Sequence, residues 1–232
     1  MNINGLLKTT LLDFPGRVAC TVFTSGCNFR CPFCHNASLV IPEKIREPSL
    51  SEQDFFDFLQ SRKHKLDGVC ISGGEPLIHT DISSFISKIK SMGFEVKLDT
   101  NGSYPDRLKA ILDAGLADYV AMDIKSAPDT YPDATGLSEA PIEAVKESVS
   151  LLMKGDIPFE FRTTLIDELH DEAVIRRIGE WVRGASDYYL QAYVDSDEVI
   201  RKGLHACNPE KQAALLAVLR EYVPAAGMRG VE

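Results

Sequence analysis

No stretch of this chain approaches the ~18 consecutive apolar residues of a membrane span. Its opening, MNINGLLKTTLLDFPG, carries one lysine and no apolar run long enough for a secretory signal. A cytoplasmic location and no membrane partner are the resulting expectations. Dense positive charge is also missing: the formal net charge is -9, and a phosphate backbone recruits clustered Lys and Arg instead, so a nucleic-acid partner is not expected. There is no internal repeat and no low-complexity segment. With 44% hydrophobic and 25% charged residues the composition is that of an ordinary folded protein. The six cysteines do not look like a disulfide framework, because three of them crowd into eight positions and nothing suggests export. Metal binding or redox chemistry fits them better.

What is present is a repeated alternation. Apolar, β-branched segments at 18–24, 68–72, 94–99, 118–123, 158–163 and 188–193 read as six strands. Helical spacing follows each, at 50–62, 80–92, 105–114, 141–154, 169–184 and 209–221. The first of these helices is expected to start with a Ser49–Glu52 capping box. Strand then helix, six times over, implies parallel strands with right-handed crossovers. The fold expected is an α/β partial (β/α)6 barrel, spanning 1–232 as one domain with a short extension at 1–17 and a tail at about 222–232. Polar residues follow nearly every strand (SGC, SGGEP, DTNG, DIKS, RTT, QAY), which puts one mouth at the strands' C-terminal ends. Two longer loops, 32–48 and 126–141, interrupt the rhythm, and long loops in compact domains are often functional.

Cys27, Cys31 and Cys34 form a C-x3-C-x2-C loop after the first strand. Zinc would want four ligands, with His35 as the candidate fourth, although adjacent Cys34 and His35 would have to fold back on one small ion. A cubane iron-sulfur cluster held by three thiolates keeps one iron open for a substrate or cofactor. Cys20 and Cys70 lie inside apolar strands and read as small buried hydrophobes, and Cys207 reads as a helix-entry residue. The SGGEP turn carries two glycines that permit close backbone approach, and Glu75, which can accept from an ammonium.

With Phe33 just before its last cysteine, the loop resembles the signature of the radical S-adenosylmethionine enzymes. In that family three cysteines hold a 4Fe-4S cluster whose fourth iron is chelated by S-adenosylmethionine. Gly73, Gly74 and Glu75 resemble the family's GGE motif, which binds the methionine amino group. LDTNG (98–102) and MDIK (122–125), beside CHN (34–36), resemble the activating enzymes of glycyl radical proteins, such as pyruvate formate-lyase activating enzyme. The resemblance implies that Phe33, Cys34, His35, Asp99, Thr100, Asp123, Lys125 and Arg162 border the cofactor, and that the two aspartates take part in a monovalent cation site. A His that the pyruvate formate-lyase activators carry is absent where QAYV aligns near Val194, and Gln191 is the substitute.

The N-terminal stretch LLKTTLLDFPGRVACTVFTSGCNFRCPFCHNASLV (6–40) and GMRG near the C-terminus also resemble a branch that activates anaerobic ribonucleoside-triphosphate reductase. By that resemblance, a flavodoxin or ferredoxin reduces the cluster, S-adenosylmethionine is cleaved to methionine and a 5′-deoxyadenosyl radical, and the radical takes a Cα hydrogen from a glycine of the partner. No protein general base is required. The segment KSAPDTYPDATGLSEAP (125–141) is expected to meet the partner. Three alternatives stay open: an activator of another glycyl radical enzyme, of the pyruvate formate-lyase type; a radical enzyme for a small molecule or another peptide, although no second cysteine cluster is present; and a non-catalytic metal or electron-transfer module.

Overall fold

The computed structural model describes residues 1–45 and 50–230, and its sheet runs in chain order, β1 to β8. Six of the strands are those expected from the sequence: β2 (Ala19–Thr24), β3 (Gly68–Gly73), β4 (Glu95–Thr100), β5 (Tyr119–Asp123), β6 (Phe159–Leu165) and β7 (Tyr188–Ala192). Each pairs parallel with the next, as the helical crossovers require. The sheet is longer than expected at both ends. Residues inside the supposed extension form β1 (Ile3–Thr10), antiparallel to β2, and residues inside the supposed tail form β8 (Gly227–Arg229), parallel to β7. Among the described residues the sheet does not close, so β1 and β8 are its two edges.

The crossover helices are α2 (Glu52–Ser61), α3 (Ile82–Ser91), α4 (Pro105–Asp113), α6 (Ile142–Lys154), α7 (Glu172–Trp181) and α8 (Pro209–Arg220). In α3, Ile82, Phe85, Ile86 and Ile89 are the buried positions, a single stripe at helical spacing. Helix α2 starts two residues later than the expected cap implies: Ser51 caps it, its hydroxyl accepting from the Asp54 N–H at 3.1 Å while Asp54 reaches back to the Ser51 N–H. The expected Ser49 cap lies outside the described residues. Both long loops carry short helices, α1 (Ala37–Val40) in the first and α5 (Tyr131–Thr135) in the second. Residues 46–48 of the first loop lie outside the described residues.

Strand side chains alternate between two environments. Val69, Ile71, Val96, Leu98, Val120, Met122 and Phe161 join the apolar core under the helices. Their neighbours Cys70, Lys97, Asp99, Asp123, Glu160 and Arg162 point the other way and meet one another across the inner face. The inner face is therefore polar and charged. Cys70 is buried as expected, but its thiol lies 3.8 Å from the Lys97 ammonium instead of among hydrocarbons. Cys20 does sit in the apolar core, and Cys207 stands just before Asn208, the N-cap of α8.

Candidate functional site

The parallel strands deliver residues to one cavity of about 250 Å³. Cys27, Cys31, Phe33, Cys34 and His35 reach it from the loop after β2; Gly73 and Gly74 from the end of β3; Asp99 and Thr100 from β4; Asp123 and Lys125 from β5; Arg162 from β6; and Gln191 from β7. A cavity lined from the β2 loop across to β7 requires the sheet to curl, which makes it an incomplete barrel with its mouth at the C-terminal strand ends.

The cysteine loop is held by three neighbouring segments. Gly74 and Glu75 donate their N–H groups to the carbonyls of Thr24 and Gly26, at 2.9 and 2.8 Å. Neither glycine of the pair tolerates a Cβ: one on Gly74 would sit 2.0 Å from the Gly26 carbonyl oxygen, and one on Gly73 would meet the Thr24 backbone at 2.3 Å, at a φ of +117°. From the far side the Arg30 N–H bonds Thr135 of α5 at 2.8 Å, and Gly136 abuts the Arg30 carbonyl. Tyr131, Ala134 and Thr135 are fully buried there, and the Tyr131 ring meets Phe29 edge-on. The 125–141 segment is thus in part a shelf under the cysteine loop, a role its loop-like composition hid. A third contact comes from the 196–201 stretch, whose Arg201 N–H donates to the Pro32 carbonyl at 2.8 Å.

Burial raises all three thiols, Cys27 to about 11 and Cys31 to about 12, so they keep their protons until a metal displaces them. The Phe29 N–H already points at the Cys27 sulfur, 3.3 Å away. Cys27, Cys31 and Cys34 all line the one cavity, so the loop can present three thiolates to the corners of an iron-sulfur cluster.

Glu75 departs from its expected place. It is fully buried, it does not line the cavity, and its carboxylate is consumed by the chain itself: Oε1 accepts from the Leu77 N–H at 3.0 Å and the Thr100 hydroxyl at 2.8 Å, and Oε2 from the Asn101 N–H at 2.6 Å. Burial pushes its pKa up to about 7 against these three donors. Its work in this arrangement is to lock the β3 turn to the β4 turn.

The cavity floor is a web of charge. Arg162 bridges both aspartates, with Nε 2.9 Å from Asp123 Oδ1 and a terminal nitrogen 3.4 Å from Asp99 Oδ2. Lys125 bonds Asp123 Oδ2 at 2.8 Å, Ser72 donates to Asp99 Oδ2 at 3.0 Å, and Lys97 pairs with Asp99 Oδ1. Burial alone would raise Asp123, but Arg162 and Lys125 hold it far below the usual carboxylate range, and Asp99 is lowered likewise by Arg162 and Lys97. Lys125 is raised: burial opposes its charge, and Asp123 outweighs it.

The His35 ring lies 5.4 Å from the Tyr193 ring, tilted by 37°, and Val194, where the pyruvate formate-lyase activators carry a His, is exposed. The residues that sequence reasoning did not single out are Phe29, Asn36, Val40, Ser72, Asn101 and Thr164, which also line the cavity, and Lys97 beneath it. Lys97 was detectable as a lysine two places before Asp99 within one strand, on the same face.

Against known proteins, the model of the radical SAM superfamily matches residues 21–178. A putative glycyl-radical enzyme activating enzyme of Methanocaldococcus jannaschii is 30% identical over 202 residues, 84% of this chain and 81% of that one. The pyruvate formate-lyase-activating enzyme of Streptococcus mutans is 29% identical over 78% of this chain and 73% of its own. Among solved structures, Streptococcus suis SuiB superposes with a TM-score of 0.71 at 12% identity, over 91% of this chain and 49% of that one. Methylornithine synthase gives 0.67 at 12% identity, over 90% of this chain and 63% of its own. Those two likenesses show the partial-barrel fold; the family match, which covers more than half of the chain, shows that the protein belongs to the radical SAM superfamily.

Proposed function

We propose that this chain is a glycyl-radical-enzyme activating enzyme: it carries a 4Fe-4S cluster on Cys27, Cys31 and Cys34, binds S-adenosylmethionine beside it, and installs a glycyl radical on a partner protein. One observation carries the reading. The three thiols and the Asp99–Arg162–Asp123–Lys125 web face the same cavity, so a metal cluster and a zwitterionic cofactor can meet there. The names of the Methanocaldococcus jannaschii and Streptococcus mutans relatives support it.

When bound, the cluster and S-adenosylmethionine supply one-electron chemistry that ends in loss of a hydrogen atom from a glycine Cα of the partner. The chain's own residues bind and orient. Lys97, Lys125 and Arg162 outnumber Asp99 and Asp123 by one positive charge, which favours the cofactor carboxylate at the floor. Gly73 and Gly74 bring bare backbone to the cavity wall, Phe33 and His35 flank the last cysteine, and Thr100 and Gln191 offer hydrogen-bonding groups for the nucleoside end.

The partner we infer is an anaerobic ribonucleoside-triphosphate reductase, with electrons from a flavodoxin or ferredoxin and the protein in the cytoplasm as a single domain. Among the described residues no helix is long and apolar enough to cross a membrane. The test is electron paramagnetic resonance on anaerobically reconstituted, reduced protein mixed with S-adenosylmethionine and the host reductase, with 5′-deoxyadenosine quantified alongside. A glycyl radical that is lost in Cys31→Ala is the expected result. A radical on the host's pyruvate formate-lyase instead moves the partner, and 5′-deoxyadenosine without any protein radical points to a small-molecule substrate.

A further inference from the structure

The resemblance to glycyl-radical activators implies a monovalent metal ion between the two aspartates, and the donor set does not fit one. A hard cation takes oxygen ligands with free lone pairs facing it. Here each carboxylate oxygen of the pair is already bonded to a cation of the chain: Asp99 Oδ1 to Lys97, Asp99 Oδ2 to Arg162 and the Ser72 hydroxyl, Asp123 Oδ1 to Arg162, and Asp123 Oδ2 to Lys125. Three cations face two carboxylates, so a metal ion would add a second uncompensated positive charge to the site.

Lys97 is the unusual member of this set. It sits on β4 two residues before Asp99, so the strand's pleat puts both side chains on the inner face. Its side chain is fully buried, and its ammonium rests between the Asp99 carboxylate and the Cys70 thiol. Burying an ammonium is expensive unless a charged partner receives it. Arg162 and Lys125 both reach the cavity, whereas Lys97 lies below it and touches Asp99 from the barrel interior.

We propose that the Lys97 ammonium is a tethered substitute for the metal ion, so that this protein binds S-adenosylmethionine without sodium or potassium. The proposal rests on the reading that the cavity takes S-adenosylmethionine. Lys97 then acts as a positioning residue: it neutralises and orients Asp99, which in turn fixes Arg162 at the floor.

The experiment measures S-adenosylmethionine affinity of the cluster-loaded protein by calorimetry, at constant ionic strength, in tetramethylammonium, sodium and potassium chloride. Thermal unfolding of the metal-free protein in the same salts gives a readout independent of the cluster. The wild type is expected to bind equally in all three, within about twofold, with one melting temperature. Lys97→Met is expected to bind about tenfold more weakly in tetramethylammonium and to regain affinity in sodium or potassium, because a small ion can now enter beside Asp99. If that variant is too unstable to load, Lys97→Met combined with Asp99→Asn removes both charges; it is expected to fold, bind weakly and respond to no salt.

A wild type that binds measurably tighter in sodium or potassium than in tetramethylammonium overturns the substitution. So does a Lys97→Met protein that folds and is rescued by neither ion. A wild type with an intact cluster and no S-adenosylmethionine binding in any salt fails differently: it removes the reading of the cavity, and this proposal with it.

Discussion

The Nε2–H of His170 donates to the carbonyl oxygen of Lys125, 3.1 Å away. The other ring nitrogen, Nδ1, accepts from the Ile166 N–H at 3.0 Å, so the buried imidazole is held neutral, in one tautomer, by two backbone groups. Burial lowers its pKa below the ordinary histidine value. The sign follows from linkage. Below about pH 6.5 the unfolded chain binds a proton that the native ring refuses, so stability is complete above that pH and is lost as pH falls toward the depressed native value. His35 and His79 are lowered by burial too and add to the same trend. Melting temperatures at about pH 7.5 and pH 5.5 are expected to differ less in His170→Gln than in the wild type. Equal acid sensitivity in both proteins refutes this role for His170.

Gly74→Ala is a sharper probe of how the cysteine loop is placed. The new methyl group would lie 2.0 Å from the Gly26 carbonyl oxygen, and that atom belongs to backbone one residue before Cys27. Backbone cannot swing aside as a flexible side chain does, so the loop must shift as a whole. The expected variant keeps its far-ultraviolet circular dichroism but takes up severalfold less iron and sulfide on reconstitution. Normal cluster content would mean that the turn has more freedom than this packing allows.

Cluster loading should also sort the six cysteines. Cys27, Cys31 and Cys34 line the cavity; Cys20 is in the apolar core, Cys70 faces Lys97 from the inner face of β3, and Cys207 is at the entry to α8. Replacing any of the first three by Ala is expected to abolish the visible absorption of the reconstituted protein. Cys207→Ser is expected to leave it intact. A loss of absorption in Cys207→Ser comparable to that in Cys31→Ala would identify a fourth thiolate and refute the three-ligand site.

Much of this architecture is legible in the sequence because its signals are local. The six inner strands alternate or run apolar between turn residues, and the helices show an unbroken stripe, as Ile82, Phe85, Ile86 and Ile89 do. The edge strands lack such a signal. In β1 Leu7, Lys8 and Thr9 are all exposed, so there is no alternation to read, and β8 is only three residues long. The motif glycines and aspartates are found at the cavity because they sit at the C-terminal ends of strands, and the cysteines because their loop leaves the C-terminal end of β2. Glu75 is the instructive exception: its position in the motif is readable, but only the arrival of Thr100 and Asn101 from the next strand shows that its carboxylate is spent on structure. His170 and the α5 shelf act through Lys125 and Arg30, partners far away in sequence that local patterns do not encode.

The same long-range logic gives the GMRG segment a physical task. Arg229 on β8 forms a two-pronged pair with Glu160 of β6, with N···O distances of 2.7 and 2.8 Å, while its guanidinium lies over the Tyr189 ring. Glu160 is fully buried, and its remaining contact is the Tyr119 hydroxyl. Removing the arginine alone strands a buried carboxylate, which costs about 3–5 kcal/mol. For a chain of this size that lowers the melting temperature by roughly 10 °C. Arg229→Leu is therefore expected to be strongly destabilised. Arg229→Leu combined with Glu160→Met, which leaves no charge to strand, is expected to recover most of the loss. A single variant that melts with the wild type would mean that Glu160 finds another partner and that β8 contributes nothing through this pair. A double variant as unstable as the single one would place the value of the pair in β8 docking instead of in charge compensation.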